Sequence, residues 1–253
     1  MSQPSPQKDR WFVCPQPNPN ADLRLFLFPY AGGTPTAFTK WLAEFPDNIE
    51  TNIIHYPGRG SRFNESPIKE LSVLVQEINR AILPLLDKPF IFFGHSMGGM
   101  IAFELTRRLS PQPQTLFISA CGAPQFPDPN HPIHSLPDSE FIKSLQKLNG
   151  LPDDVINNSE LTQLLFPVLR ADFEAVENHK YVFNEEQLKC PIIAFGGCDD
   201  THVSRDRLEG WAAQTSASFR SQYFSGDHFF INTARQSVTT SIIDWIKKPN
   251  ETR

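Results

Sequence analysis

Cysteine is sparse and unpatterned in this chain. Cys14, Cys121, Cys190 and Cys198 are the only four; they make no CxxC pair and no spacing used by zinc sites, so no metal is expected. Basic residues are outnumbered, 23 Lys and Arg against 28 Asp and Glu, giving a formal net charge of -5 and a pI near 5.8. That balance leaves no electrostatic footprint for nucleic acid or an anionic membrane. Long apolar runs are missing too. Residues 1–8 are polar and proline-bearing, unlike a secretory signal, and no later stretch approaches membrane-spanning length. A reduced cytoplasmic protein with neither a nucleic-acid nor a membrane partner is the consistent reading.

Glycine is also scarce, with thirteen residues in 253. A G-x-S-x-G pattern therefore arises by chance in roughly one such chain in twenty, and Gly94-His95-Ser96-Met97-Gly98 has context that narrows the odds further. Phe90-Ile91-Phe92-Phe93 before it is the continuous apolar run of a strand buried on both faces. After it, Ile101, Ala102, Leu105 and Leu109 recur at helical spacing until Ser110-Pro111 stops the helix. Strand, glycine-bounded serine and helix together describe a nucleophile elbow, with Ser96 as the exposed hydroxyl. His95 is read as a packing residue.

Hydrophobic residues at 40% and charged residues at 20% are ordinary for a folded globular chain. The length suits one large α/β domain, taken as 1–253, with an insertion. Residues 1–20 form a proline-punctuated lead-in, where only Trp11-Phe12-Val13 could make or cover an edge strand. Strands are expected at 23–28, 51–56, 115–120, 191–197 and 218–224, and helices at 36–45, 68–86, 205–215 and 233–247. Their alternation predicts a mostly parallel, doubly wound sheet covered on both faces. Between 124 and 185 the texture changes to amphipathic segments at 139–148, 158–165 and 168–182 without a convincing strand. This reads as a helical lid over the sheet's carboxyl edge. Phe141, Leu145, Leu148, Leu164, Leu165, Phe166, Phe173 and Val176 would either line an acyl pocket or simply pack the lid. The loop Pro57-Gly58-Arg59-Gly60-Ser61-Arg62 lacks the lysine and spacing of a phosphate-binding loop; its arginines are expected to anchor neighbouring elements.

In a doubly wound hydrolase the catalytic side chains arrive as serine, acid and histidine, each after a strand. Ser96, an acid at 199 or 200, and His228 fit that order. Asp200 is favoured over Asp199, which faces the other way on an extended segment, while Asp227 adjoins the histidine too closely to turn back to it. His202 is expected at the surface. Gly32 and Gly33, following a strand, would free backbone N–H groups for an oxyanion hole, the other donor being the N–H of Met97.

Five stretches carry a resemblance: Pro29-Tyr30-Ala31-Gly32-Gly33, residues 56–62, residues 94–99, Leu169-Arg170-Ala171-Asp172-Phe173, and Gly226-Asp227-His228-Phe229-Phe230. Together they resemble the type II thioesterases that accompany nonribosomal peptide and polyketide synthases. The likeness implies an α/β-hydrolase fold with a helical lid, a triad of Ser96, Asp200 and His228, and an oxyanion hole of amides near Tyr30, Ala31 and Met97. It further implies removal of aberrant acyl groups from the phosphopantetheine arm of carrier domains, with no cofactor of the enzyme's own and a monomeric chain. Arg205, Arg207 and the lid surface are candidate carrier contacts. One departure is Tyr30, where the family usually has histidine. A carboxylesterase or lipase with the same triad is the alternative, followed by a non-catalytic binding protein on the same scaffold.

Overall fold

Alternating side chains along two apolar strands decide which layers cover the sheet. In β2 (Leu23–Phe28) Phe26 and Phe28 pack on one face, while Leu23, Leu25 and Leu27 pack on the other. In β4 (Phe90–His95) Phe90 and Phe92 join the first set, and Ile91 and Phe93 the second. A period of two with both sets apolar is what a strand needs when it is covered on both sides. The computed structural model describes residues 10–126, 132–149, 158–182 and 186–247. The ends of the expected domain, and the lid limit at 185, lie outside the described residues.

Seven strands form one sheet in the order β1-β3-β2-β4-β5-β6-β7. The others are β1 (Phe12–Val13), β3 (Ile49–Ile54), β5 (Leu116–Ser119), β6 (Ile192–Gly197) and β7 (Phe219–Phe224). All pairs are parallel except the edge pair of β1 with β3. One face is covered by α1 (Leu71–Ile82) and α2 (Met97–Thr106), with Trp211 buried against them. The 3-10 segment Pro35–Glu44 and a carboxyl-terminal helix, Arg235–Lys247, cover the other. The 36–45 helix is thus a 3-10 helix, and the 68–86 and 205–215 helices each end in a short 3-10 turn. Since β2 lies between β3 and β4, the chain reverses its direction of winding at β2 and β4. That reversal opens a crevice at their carboxyl ends, the usual place for a site in such sheets.

Between β5 and β6 the described residues form two longer helices, α3 (Asp138–Lys147) and α4 (Ser159–Glu177). Phe141, Leu145, Phe166 and Leu169 make a third core there, separate from the two on the sheet. The sequence suggests a break at Phe166-Pro167, but α4 runs straight through Pro167. A proline inside a helix removes one donor and crowds the preceding turn, at about 3 kcal/mol. Burial of Phe166 and Leu169 on either side of it holds the helix together.

Candidate active site

Ser96 sits where β4 turns into α2, at φ 53° and ψ -120°. Positive φ on a residue with a β-carbon stores about 1–3 kcal/mol. Its surroundings hold it there: Ser96 N–H donates to the Ser119 carbonyl at 2.8 Å, and Gly99 N–H donates to the Ser96 carbonyl at 2.9 Å. A β-carbon on Gly94 would stand 2.2 Å from the Gly98 carbonyl oxygen, and one on Gly98 would stand 2.0 Å from that of Phe28. The pattern's two glycines therefore do different things. One lets strand and helix meet, and the other lets the helix start against the end of β2.

His228 lies just past β7, with its side chain 6% exposed. Its Nε2 is 3.1 Å from Ser96 Oγ, and its Nδ1 is 2.9 Å from Asp200 Oδ2. The second Asp200 oxygen accepts from the N–H groups of His202 and Val203, at 2.8 and 3.1 Å. Burial by itself raises the Asp200 pKa, but the His228 hydrogen bond and charge and these two N–H groups outweigh it, so the carboxyl lies below its ordinary value. Asp199 is exposed, while its N–H ties the acid loop to the Gly226 carbonyl at 2.9 Å. Backbone contact explains how two distant loops register: a β-carbon on Gly197 would be 2.4 Å from the Asp227 carbonyl oxygen. Asp227 turns outward, its carboxylate accepting from Asn149 Nδ2 at 2.8 Å and from Phe229 N–H at 2.8 Å.

Two expectations about histidines and arginines change. His202 is half-buried, its ring 5.3 Å from that of His228 and edge-on to it, rather than a surface residue. Arg207 packs its guanidinium within about 3 Å of where a β-carbon on Gly122 would be, and donates to the His202 carbonyl. It supports the acid loop from inside, whereas Arg205 is exposed and stacks on Tyr223. His95, fully buried, pairs its Nδ1 with Ser119 Oγ at 2.9 Å, in line with a packing role.

The loop after β2 lies beside the elbow. Among the described residues, the N–H groups of Tyr30, Ala31 and Met97 have no hydrogen-bond partner. The Tyr30 ring sits edge-on to Phe229 at 4.9 Å and to His95 at 5.8 Å, so this departure from the family pattern fills space between the serine and histidine loops. A 480 Å³ cavity runs along the same loop, with Trp41, Leu165 and Leu169 among its apolar lining and Lys40 and Arg235 contributing cationic groups. Of the residues expected either to line a pocket or to pack the lid, Phe141, Leu145 and Phe166 are buried in the insertion's own core, and Leu165 reaches this cavity. The partner of Arg59 is not signalled by sequence spacing: both its terminal nitrogens bond the carboxylate of Asp172 on α4, at 2.5 and 2.7 Å. Among the described residues, no three His, Cys, Asp or Glu side chains are grouped as a metal would require, and no helix is long and apolar enough to cross a membrane.

The parallel sheet, the serine at a strained turn and the helices inserted after β5 define an α/β-hydrolase. Comparison with known proteins narrows the class. The thioesterase domain family matches residues 23–248. The gramicidin S biosynthesis protein GrsT of Aneurinibacillus migulanus is 43% identical over 236 residues, covering 92% of this chain and 92% of that protein. A Brevibacillus parabrevis protein named linear gramicidin dehydrogenase LgrE is 40% identical over 240 residues, covering 92% and 91%. Among solved structures, the type II thioesterase BorB from the borrelidin biosynthetic cluster superposes with a TM-score of 0.85 at 30% identity, covering 93% of this chain and 97% of that one. This chain belongs to the thioesterase family and falls with its type II thioesterases.

Proposed function

We propose that this thioesterase hydrolyses acyl groups held as thioesters on the phosphopantetheine arm of carrier domains, clearing unproductive loads from a peptide or polyketide synthase. The observation that carries the chemistry is the single line from Asp200 through His228 to Ser96. Ser96 Oγ attacks the thioester carbonyl carbon while His228 Nε2 takes its proton. Asp200 keeps Nδ1 protonated and offsets the charge that the imidazole gains. The N–H of Met97, with that of Ala31 or Tyr30, meets the oxygen as it becomes negative, each donor contributing about 3–4 kcal/mol. The tetrahedral intermediate then expels the thiol, which leaves with the proton from His228. A thiol of pKa about 8.5 departs readily, so the harder task for His228 is activating the water that releases the acid from Ser96. Every step uses only the chain and water, so no cofactor is required.

The partner implied is a carrier domain, a reading supported by the names of GrsT, a gramicidin S biosynthesis protein, and BorB, a type II thioesterase of the borrelidin biosynthetic cluster. The name of LgrE speaks instead of a dehydrogenase. In this chain the turn after β2 reads Pro29-Tyr30-Ala31-Gly32-Gly33, without the spaced glycines of a dinucleotide fingerprint. A serine held at a strained elbow in line with that histidine is the nucleophile of acyl transfer, a role that hydride transfer does not use.

Steady-state hydrolysis of acetyl- to decanoyl-loaded carrier protein, beside the matching coenzyme A thioesters, tests the assignment. Faster turnover of the carrier-bound substrates is expected. Ser96→Ala should lower kcat more than about a thousandfold and abolish labelling by a fluorophosphonate, with the circular dichroism spectrum unchanged. Retained turnover in that variant would rule out the acyl-serine route.

A further inference from the structure

A loop whose backbone N–H groups stabilise an oxyanion has to be held in one shape, and loop 29–33 contains two glycines. Its contacts show what holds it. Gly33 N–H donates to the Tyr30 carbonyl at 2.8 Å, and Tyr56 Oη donates to the Pro29 carbonyl at 3.2 Å. Gly32 N–H donates to Asp172 Oδ2 at 2.7 Å, across 140 positions of sequence. Gly32 has φ +74°, and a β-carbon there would lie 2.6 Å from Leu169 Cδ2. Leu169 and Asp172 are three residues apart on α4, so they project from neighbouring positions on one face of the helix. Both meet Gly32, one by packing and the other by accepting its N–H.

Asp172 is itself fixed. Arg59 Nη1 and Nη2 grip its two oxygens, and the side chains are 5% and 2% exposed. The guanidinium lies 5.2 Å from the centroid of the Tyr56 ring, and Arg59 Nε donates to the Pro57 carbonyl. A planar fork on a carboxylate fixes direction as well as distance. Arg59 also neutralises a charge that would otherwise oppose the negative oxygen forming close by.

Peptide planarity carries this to the reacting centre. The Tyr30 carbonyl is held by Gly33, so the Ala31 N–H of the same peptide unit must point the opposite way. The next unit is held through Gly32 N–H by Asp172. We infer that Arg59 and Asp172 are positioning residues for the thioesterase reaction: through Gly32 they fix the peptides around Ala31, so that a contact from helix α4 sets the shape of the oxyanion hole. This rests on the function proposed above.

The test compares two inhibitors on the full-length enzyme. An acyl trifluoromethyl ketone of the pantetheine thioether forms a tetrahedral adduct on Ser96, whereas a plain acyl thioether ligand mimics only bound substrate. Asp172→Asn, close in shape but unable to hold the fork, should lose kcat by about a hundredfold, the scale of a displaced catalytic group, with KM little changed. Affinity for the trifluoromethyl ketone should fall by the same factor while the thioether binds as in wild type. Arg59→Lys keeps the charge with one point of contact and should show the same selective loss at about tenfold. Equal loss of both ligands, an unchanged trifluoromethyl ketone affinity, or failure of both variants to fold would overturn the assignment and leave the pair a packing element. A wild-type enzyme inert toward acyl-pantetheine thioesters would instead sink the proposed function.

Discussion

The carboxyl edge of the sheet and the helices between β5 and β6 are built on different terms. Ser96, Asp200 and His228 follow β4, β6 and β7, strands in one parallel ladder, so backbone bonding sets their separation. Gly98 against Phe28 and Gly197 against Asp227 show how closely that edge is fitted. The inserted helices have a small core of their own around Phe141 and Phe166. They meet the site through a few contacts: Leu169 packs on Gly32, Asp172 accepts the Gly32 N–H, and Asn149 donates to Asp227. One region holds the proposed chemistry in rigid register, and the other touches its loops from outside. Groups attached through the ladder should therefore fail by losing reactivity, and groups in the insertion by losing local order or alignment.

The largest effect that sharpens this contrast falls on two neighbouring acids. Asp200→Asn should lower kcat by about 10,000-fold, because the amide cannot hold His228 in the tautomer that accepts from serine. Asp227→Asn, one residue from the histidine in sequence but facing Asn149, should change kcat by less than about threefold. Similar losses in both variants would mean that the acid is not fixed by the β6 loop. A smaller effect tests the insertion. Phe141→Ala empties the centre of the third core and should remove about 3–5 kcal/mol of local stability. Hydrogen exchange should show α3 and α4 opening while β4 and β5 amides stay protected. Loss of protection across the sheet would show the two regions to be one cooperative unit.

Legibility in the sequence follows the same divide. The elbow was readable because its evidence is local, an apolar strand, two glycines and a helix within about twenty positions. The mostly parallel sheet and the candidacy of His228 follow from alternation and chain order, whereas the order of the strands in the sheet is set by long-range pairing that spacing does not encode. Asp200 is favoured over Asp199 on alternation alone, whereas the rotation of the loop after Gly197 depends on backbone contact with the His228 loop. In the insertion, helical spacing locates α3 but divides α4 into two segments, 158–165 and 168–182, because burial of Phe166 and Leu169 on either side of Pro167 is a tertiary effect. Arg59 was expected to anchor something. That its anchor is Asp172, 113 positions away, could not be read from spacing.

The smallest effect probes whether the ladder side also carries the pH sensitivity of folding. His95 is fully buried beneath the site, and burial first, then the charge of His228, holds its pKa well below the ordinary value. The groups facing it are Ser119 Oγ on Nδ1, the rings of Tyr30, His228, Phe229 and Phe230, and the more distant charge of Asp200. As pH falls below about 6.5, the unfolded chain binds a proton here that the folded chain does not, so stability must fall with pH. A single such group contributes a slope of about 1.4 kcal/mol per pH unit. Asp200, whose pKa is depressed, also loses its contribution on acidification, but only below the unfolded carboxylate value of about 3.9. The two windows are therefore separate. His95→Gln keeps a polar partner for Ser119 without a titrating ring, and should flatten the wild-type stability profile between pH 6.5 and 5 by about that slope, as read from urea midpoints at each pH. An unchanged profile would move the acid sensitivity of folding away from the elbow.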